Sequence, residues 1–330
     1  MLDTMNFRGL GEEAALSKHS ELVASIATSP MAAAQSALGA SWARSMNNYG
    51  LDPAARARMH RATQPEIAEH LEASSELLHV ARREMTQLFQ LVGQSGCGLF
   101  LVDTDGIVLD RRVVDADTSA FEKLGLDIGA VCNEQTEGTN GMGTCIAEQR
   151  PVVIHRDEHF LERNTQFTCI GVPIFGAQGE VVAALDLSTG RDDHTKAANR
   201  LLSYALMQTS RRIEERFFRS RYPAARFLVT DVDNTDASGM LAIDGDDLVI
   251  GANRSARIAF DLGCGRDFDA VPAANLVQQS GAGRDMGAVS RSAIVRALTR
   301  SSWNMSAAAR QLGIGRTTLY RRMKQLDIQK

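Results

Sequence analysis

The sequence predicts a multidomain α+β protein, and three observations support this fold class. Its 330 residues are enough for roughly two or three domains. Hydrophobic residues make up 44% and charged residues 23%, which is typical of soluble chains and excludes a disordered or fibrous protein. Apolar runs with the two-residue period of strands alternate with helical patterns and pair as local hairpins, as in antiparallel α+β domains.

Helical patterns occupy the first part of the chain. A Ser-Pro pair at 29–30 suits the start of a helix that continues through Trp42 and is broken by the Gly- and Pro-containing residues 50–53. A second helix is predicted from about Pro65 to Gly93, because its apolar residues keep an approximate one-face spacing.

Strands follow these helices. They are predicted at 98–104, 107–113, 151–155, 167–176 and 180–188, of which the first two and the last two form hairpins. A Gly/Thr/Asn-rich loop at 134–143 opens into a short helix that ends near Arg150. These elements describe an antiparallel α+β domain of about 100 residues.

A long helix and a smaller α/β segment come next. The helix, residues 194–218, carries a narrow apolar stripe, which suits either a partner helix or its own domain. Strands are predicted at 226–231, 240–243 and 248–251, a short helix at 252–263 and a Gly-rich linker at 280–287.

The tail is basic, although the whole chain has a net charge of -4. Residues 285–330 carry nine Lys/Arg against two acids, and the other 284 residues carry 27 bases against 38 acids. Three short helices are predicted in the tail, at 288–301, 306–312 and 316–326, with a tight Gly-containing turn before the last one. A short helix, a tight turn and a basic helix form a helix-turn-helix, which favours DNA binding over a merely solvated surface.

The last tail helix has two distinct faces. At 100° per residue, Leu319, Met323 and Leu326 share the side that faces a core, and Thr317, Arg321 and Lys324 lie opposite, where they suit base edges. Residues on the flanks suit phosphate contacts. The predicted DNA-binding residues are Ser306, Arg316, Thr317, Thr318, Tyr320, Arg321, Arg322 and Lys324.

The tail sequence SAAARQLGIGRTTLYRRMKQLDI resembles the Fis-type helix-turn-helix at the C-terminus of bacterial enhancer-binding regulators, over residues 288–328. Gly315 stands where that family usually has a Ser or Thr cap, and glycine is an adequate cap. The segments at 41–53, 99–109, 137–160 and 167–188 resemble the acetoin-catabolism-regulator type of sensor with its GAF domain. The fragments FLVTD and GANRSARIAF resemble parts of a PAS domain.

The resemblance implies a domain order. It consists of an N-terminal helical region (1–92), a GAF-like sensor (93–190), a signalling or dimerisation helix (191–219), a truncated PAS-like unit (220–279), a linker (280–287) and a Fis-type DNA-binding domain (288–330). Full-length members of the family carry an ATPase module between sensor and DNA-binding domain. No G-x-x-x-x-G-K-[ST] phosphate loop occurs in this sequence, so control without ATP hydrolysis is expected.

The loop at 134–143 and its neighbours are the predicted ligand site. The residues expected to line a pocket there are Phe100, Cys132, Glu137, Thr139, Asn140, Phe160, Phe167 and Cys169. The alternative is that the glycines serve a tight connection and that most of these side chains are core. His155, Glu158 and His159 match the zinc-protease pattern H-x-x-E-H, but the segment follows a strand instead of forming a helix, so neither a metal nor a cofactor is expected.

These observations predict a non-enzymatic transcriptional regulator that senses a small metabolite and controls a catabolic operon by occupying its operator. We expect a homodimer on a two-fold symmetric DNA site, with RNA polymerase left open as a further partner. With no apolar run of membrane-spanning length, no secretory signal and five scattered cysteines, a cytoplasmic, nucleoid-associated protein is expected. Two alternatives stay open: a GAF-type, cysteine-dependent redox enzyme or sensor, and an architectural Fis-like DNA-binding protein.

Overall fold

The computed structural model describes residues 17–93, 96–191, 196–230, 238–265, 267–279, 294–295, 297–301, 303–312, 315–325 and 328. The chain divides into two compact units. The first contains the described residues up to Ile174 and those of 181–213, and the second contains 175–180 and the described residues from Glu214 onwards. None of the described helices combines the length and the apolar character that crossing a membrane requires.

The first unit places helices around a five-stranded sheet. Its helices are α1 (Lys18–Ala27), α2 (Pro30–Ala34), α3 (Ala37–Ala43), α4 (Gln64–Ala73), α5 (Ser75–Val92), α6 (Asp115–Leu124), α7 (Glu134–Glu137) and α8 (Gly141–Glu148), and a π-helical turn, Arg44–Asn48, continues α3. The strands are β1 (Cys97–Asp103), β2 (Val108–Arg112), β3 (Val152–His155), β4 (Thr168–Phe175) and β5 (Val181–Thr189). The strand order is β2-β1-β5-β4-β3, which confirms the predicted strands and hairpins.

One part of the core of this unit lies on the face of the sheet that carries Phe100. Three aromatic rings meet there: the centroids of Phe100 and Phe121 are 5.4 Å apart, and those of Phe121 and Phe167 are 5.5 Å apart. Each of these side chains is at most 4% exposed. Aromatic pairs at this spacing stabilise a core beyond the apolar area that they bury.

Several helical predictions need correction. The single helix predicted from 29 through Trp42 is wrong, because the Ser36 hydroxyl accepts a hydrogen bond from the Gly39 N–H and starts a new helix there. The helix predicted over 65–93 is likewise divided at Ser74. Helix α6 was not predicted, since Phe121 is its only buried residue and one apolar position gives no period. Helix α7 lies inside the predicted loop, where Asn133 caps it.

A long helix, α9 (Lys196–Arg221), follows β5. Leu206, Thr209 and Ile213 of its predicted stripe are buried, and the Ser210 hydroxyl donates to the Pro173 carbonyl oxygen at 2.7 Å. Packing on its own domain, one of the two alternatives for this helix, is therefore observed.

The second unit contains a four-stranded antiparallel sheet in the order β6-β7-β8-β9. Its elements are β6 (Arg226–Thr230), β7 (Gly239–Ile243), β8 (Leu248–Ala252), α10 (Arg254–Ala259), β9 (Val271–Pro272) and α11 (Ala273–Gln279). The strands and the short helix confirm the predicted α/β segment, and its relation to PAS domains stays a prediction. The linker 280–287 lies outside the described residues.

Three helical segments form the tail. Residues 294–295 and 297–300 are helical, and α12 (Met305–Gln311) and α13 (Arg316–Gln325) follow. The Asn304 side chain caps α12 by accepting from the N–H groups of Ser306 and Ala307, both at 3.1 Å. The shared core consists of Ile294, Ala297, Leu298, Ala308, Ala309, Leu319, Met323 and Ile328.

A buried carboxylate joins the N-terminal helices to the sheet domain. Glu134, at the start of α7, is 3% exposed and accepts hydrogen bonds from Arg44 at 3.0 Å, from the Ser41 hydroxyl at 2.5 Å and from the Thr144 hydroxyl at 2.8 Å. The Ser41 oxygen also lies 2.6 Å from the hydroxyl oxygen of Thr139. A buried charge with a cation and two hydroxyls around it is compensated, whereas the loss of any partner leaves a desolvated polar group.

We therefore expect Glu134→Ala to lower the free energy of unfolding of this unit by about 3–5 kcal/mol, because it removes the buried carboxylate that pairs with Arg44 and accepts from two hydroxyls. Urea denaturation checks this in a Trp303→Phe background, where the fluorescence comes from Trp42 alone. Glu122→Ala, on the exposed side of α6, is the control and should change the value by less than about 0.5 kcal/mol. A cost below about 1 kcal/mol for Glu134→Ala contradicts this account.

Candidate ligand cavity and nucleic-acid interface

A small, partly open cavity of about 40 Å³ lies in the first unit, beside the loop that joins α7 to α8. Apolar atoms form most of its surface, and polar side chains near the start of β4 also border it. Its lining consists of Met59, Leu124, Leu126, Cys132, Glu137, Asn140, Gly141, Met142, His159, Asn164, Phe167, Cys169 and Ser188. This combination is typical of small-molecule sites.

Five of the eight predicted ligand residues line this cavity: Cys132, Glu137, Asn140, Phe167 and Cys169. The other three do not. Phe100 lies in the sheet core, Phe160 packs in the cluster with Trp42, and Thr139 contacts Ser41. His159, Asn164 and Ser188 were missed, because the sequence associated His159 with a metal pattern and gave no signal for the other two.

Glycines in the loop permit close packing, as the structural alternative proposed. A Cβ on Gly141 would lie 2.4 Å from Asp186 Oδ2, and one on Gly143 would lie 2.6 Å from the carbonyl oxygen of Cys132. Asn140 caps α8: its Oδ1 accepts from the N–H groups of Met142 and Gly143, and its Nδ2 donates to the Gly138 carbonyl oxygen. Both polar atoms of the Asn140 side chain therefore form hydrogen bonds with the loop and stabilise its conformation.

Glu137 is a buried carboxylate with its own cation. Both of its oxygens accept from Arg163 Nη2 at 2.6 Å, and Asn164 Nδ2 donates to Oε2 at 3.4 Å. Burial raises the pKa of Glu137, and the charge and hydrogen bonds of these neighbours act in the opposite direction. The pair is neutral as a unit.

His159 is a neutral imidazole that faces the cavity. Its Nδ1 lies 2.9 Å from the carbonyl oxygen of Arg156, and its Nε2 lies 3.4 Å from Cys169 Sγ. Burial lowers the pKa of His159 to about 4. The zinc-protease geometry does not form, since His155 ends β3 and contacts Thr168, and Glu158 accepts from the backbone N–H of His155.

The thiols of the cavity are protonated. Burial raises the pKa of both Cys132 and Cys169 far above the ordinary thiol value. Next to them, burial raises the pKa of Asp186 to about 7, and Oδ1 accepts from the Ser188 hydroxyl. Asp186 Oδ2 is buried without a hydrogen-bond partner among the described residues.

A second polar cluster, His70, Asp103 and Asp105, has the residue types of a metal site. Asp103 of this cluster already forms hydrogen bonds that stabilise the β1–β2 turn. Asp103 Oδ1 accepts from the N–H groups of Asp105 and Ile107, and Oδ2 lies 2.7 Å from His70 Nδ1. Hydrogen bonds that stabilise a hairpin turn explain this cluster.

The tail helix α13 has the two faces that the sequence predicts. Leu319 is fully buried and Met323 is 8% exposed, whereas Thr317, Arg321 and Lys324 are exposed. Of the other predicted DNA-binding residues, Ser306, Arg316 and Tyr320 are exposed and Thr318 is half-buried, and the Arg322 side chain lies outside the described part. Arg316 stacks near Tyr320, with 5.7 Å from guanidinium carbon to ring centroid.

Comparison with known proteins matches both regions to families. Residues 76–213 match the GAF domain, and residues 286–326 match the Fis family of bacterial regulatory proteins. The GAF match includes α5 and the part of α9 that packs on the sheet domain. The chain therefore carries a GAF domain and a C-terminal Fis-type helix-turn-helix in a multidomain α+β fold.

Relatives with similar sequences are transcriptional regulators by name. The chain is 26% identical to the acetoin catabolism regulatory protein of Cupriavidus necator over 225 residues, which is 67% of this chain and 34% of that protein. It is 29% identical to the propane 2-monooxygenase operon transcriptional activator MimR of Mycolicibacterium smegmatis, over 56% of this chain and 32% of that one. The chain thus spans about a third of each of these relatives.

Among solved structures, the E. coli DhaR(N)–DhaL complex has a TM-score of 0.49 at 16% identity, covering 70% of this chain and 78% of that chain.

The buried Asp186 predicts a pH-dependent stability. Its folded pKa lies above the unfolded value, so between about pH 4 and pH 7 the unfolded chain binds fewer protons and stability falls as the pH rises. The full penalty, reached above pH 7, is on the order of 4 kcal/mol. We expect Asp186→Asn to remove this penalty. The free energy of unfolding of the variant should then exceed that of wild type by an amount that grows from pH 4.5 to pH 7 and is constant above pH 7.

Urea denaturation at several pH values, followed through Trp42 in the Trp303→Phe background, measures this difference. Asp157→Asn, at an exposed position, should give a profile parallel to wild type. A difference between wild type and Asp186→Asn that is the same at pH 4.5 and pH 8 contradicts the assignment.

Proposed function

We propose that this chain is a DNA-binding transcriptional regulator that senses a small metabolite in the GAF-domain cavity and controls a catabolic operon by operator occupancy, without ATP hydrolysis. The observation that carries the proposal is the α13 surface, which presents Thr317, Arg321 and Lys324 while Leu319 anchors the opposite face in a core. Hydroxyl and cationic side chains on an exposed helix suit the major groove.

The flanking residues support a DNA-reading role for α13. Arg316 and Tyr320 lie at the sides of the exposed face, where contacts to phosphates position a helix without reading sequence. The excess of nine bases over two acids in residues 285–330 adds an attraction to DNA that weakens with salt. The match to the Fis family supports the same role.

The cavity supports the sensing role. It lies mostly within the GAF match and combines an apolar lining with a few polar side chains, as effector sites do. The relatives act, by their names, in acetoin catabolism and on a propane 2-monooxygenase operon, and both names favour a catabolic target.

The proposal excludes an enzyme that uses Cys132 or Cys169. A cysteine nucleophile must ionise near neutral pH, and burial raises the pKa of both thiols instead. The regulator names of the relatives agree with this. The architectural alternative, in which the sensor is not coupled to the tail, is tested by measuring operator affinity with and without the effector.

A homodimer on a two-fold symmetric operator completes the proposal, with half-sites about 34 Å apart, in the cytoplasm and on the nucleoid when bound. Exposed apolar side chains of the GAF domain, Leu91 on α5 and Leu201 and Tyr204 on α9, offer a surface for the partner helix. RNA polymerase is the further partner through which a bound regulator would act.

We expect Arg321→Ala to remove sequence discrimination, with a loss of about 1–3 kcal/mol toward the operator and little change toward random DNA. Arg322→Ala should weaken both kinds of DNA alike and flatten the salt dependence. The operator comes from selection on a random duplex library, and fluorescence anisotropy at several salt concentrations measures the affinities. Lys123→Ala removes an exposed charge of α6 and is the control. Unchanged specificity of Arg321→Ala, or a monomer at binding concentrations, overturns this proposal.

We also expect effector binding to change operator affinity about 5- to 150-fold, the usual range of coupling between two sites. The effector is a compound that raises the melting temperature in a screen of small hydroxylated and carbonyl metabolites, because a native-state ligand stabilises by mass action. The same preparation should show no ATP turnover. Identical affinity with and without the compound, or measurable ATP hydrolysis, contradicts the mechanism.

A further inference from the structure

Two polar side chains of the cavity lining offer hydrogen-bond acceptors, which bears on the kind of ligand that the cavity takes. His159 shows this first. A backbone carbonyl oxygen only accepts, so the contact of His159 Nδ1 with Arg156 places the proton on Nδ1. The other ring nitrogen, Nε2, is then a bare acceptor, and the contact that it makes, with Cys169 Sγ at 3.4 Å, is to a weak donor.

Asn164 provides the second acceptor. Its Nδ2 faces the Glu137 carboxylate, which only accepts, so the orientation of the amide is fixed. Its Oδ1 is buried and has no hydrogen-bond partner among the described residues. An acceptor left in this state destabilises the protein until a donor reaches it.

Several donors of the lining form hydrogen bonds within the protein. Asn140 Nδ2 donates to the Gly138 carbonyl oxygen, and the Ser188 hydroxyl contacts Asp186 and Cys169. The Nε of Arg163 is buried without a partner in the described part of the chain, but Arg163 does not line the cavity. An anionic ligand would therefore meet no cationic side chain in the lining, and it would approach the Glu137 carboxylate.

A cationic ligand would also lack a counter-charge. Glu137 is the carboxylate among the lining residues, and Arg163 already binds both of its oxygens at 2.6 Å. The rest of the lining, with Leu124, Leu126 and Phe167 among it, requires an apolar body.

We propose that the cavity takes a small uncharged molecule with an apolar body and a hydroxyl group, and that this hydroxyl donates a hydrogen bond to His159 Nε2 or Asn164 Oδ1. The inference rests on the proposed function, which places the effector in this cavity. It predicts selection by donor capacity and by charge, which a purely apolar pocket would not show.

Four probes of one chain length test the proposal on the full chain by isothermal titration calorimetry or ligand-observed NMR. They are pentan-1-ol, its methyl ether 1-methoxypentane, pentanoate and pentylammonium. We expect saturable binding of pentan-1-ol, at least tenfold weaker binding of the ether, which keeps the oxygen but loses the donor, and no binding of either ion at the same concentrations. Binding of pentanoate or pentylammonium at least as tight as the alcohol, equal binding of alcohol and ether, or no binding of any probe overturns the proposal.

Two variants locate the contact. His159→Phe and Asn164→Leu each remove one acceptor, and at least one of them should bring the alcohol-to-ether ratio close to one. Val153→Ala, at an exposed position of β3 outside the lining, is the control and should keep the ratio. Circular dichroism verifies that each variant is folded, and if His159→Phe does not fold, Asn164→Leu and the four probes still decide. A ratio that neither folded variant changes overturns the assignment of the acceptors.

Operator affinity separates this inference from the proposed function. If pentanoate binds best and shifts operator affinity, sensing through the cavity stands and the hydroxyl proposal is overturned. If pentan-1-ol binds as expected and operator affinity does not change with it or with any compound that stabilises the protein, the ligand class stands and the coupled regulator is overturned.

Discussion

The first unit depends on how two buried carboxylates, Glu134 and Glu137, are compensated. Both lie in the one-turn helix α7, and each is neutralised by an arginine from another part of the chain, Arg44 after α3 and Arg163 before β4. A carboxylate in such a place is tolerated only with a cation and additional hydrogen bonds. The N-terminal helices and the segment after β3 are thereby both held against α7, and the cavity lies beside that corner.

The same corner explains why the cavity is polar at one end. Gly141 and Gly143 let α8 approach Asp186 and the Cys132 carbonyl group so closely that no side chain fits between them. Water is excluded at this distance, and burial shifts three kinds of group beside the cavity toward their neutral forms: the pKa of His159 falls, and the pKa values of Asp186 and the thiols rise.

The C-terminal helix-turn-helix is constructed differently. Its core is built from a few small and medium side chains, among them Ala308, Ala309 and Leu319, and Asn304 caps the start of α12. Only one face of α13 is needed for that core, so the opposite face stays exposed.

The sequence by itself determined the elements whose signals are local. The period of the strands placed both hairpins, and the spacing of Leu319 and Met323 is sufficient to assign the buried face of α13. The sequence did not determine the helix breaks at Ser36 and Ser74, where a cap or a turn outweighs a continuous apolar pattern.

Only the tertiary structure decided the cavity. Phe100 and Phe160 have the same residue type as Phe167, yet only Phe167 lines it, because the direction of each side chain depends on which face of the fold it joins. Asn164 and Ser188 are 24 residues apart in the chain and meet at one cavity through the pairing of β4 with β5. A local sequence pattern carries no information about residues that are distant in the chain. The burial and the hydrogen bonds of a lining side chain, which set its chemistry, depend on those distant residues.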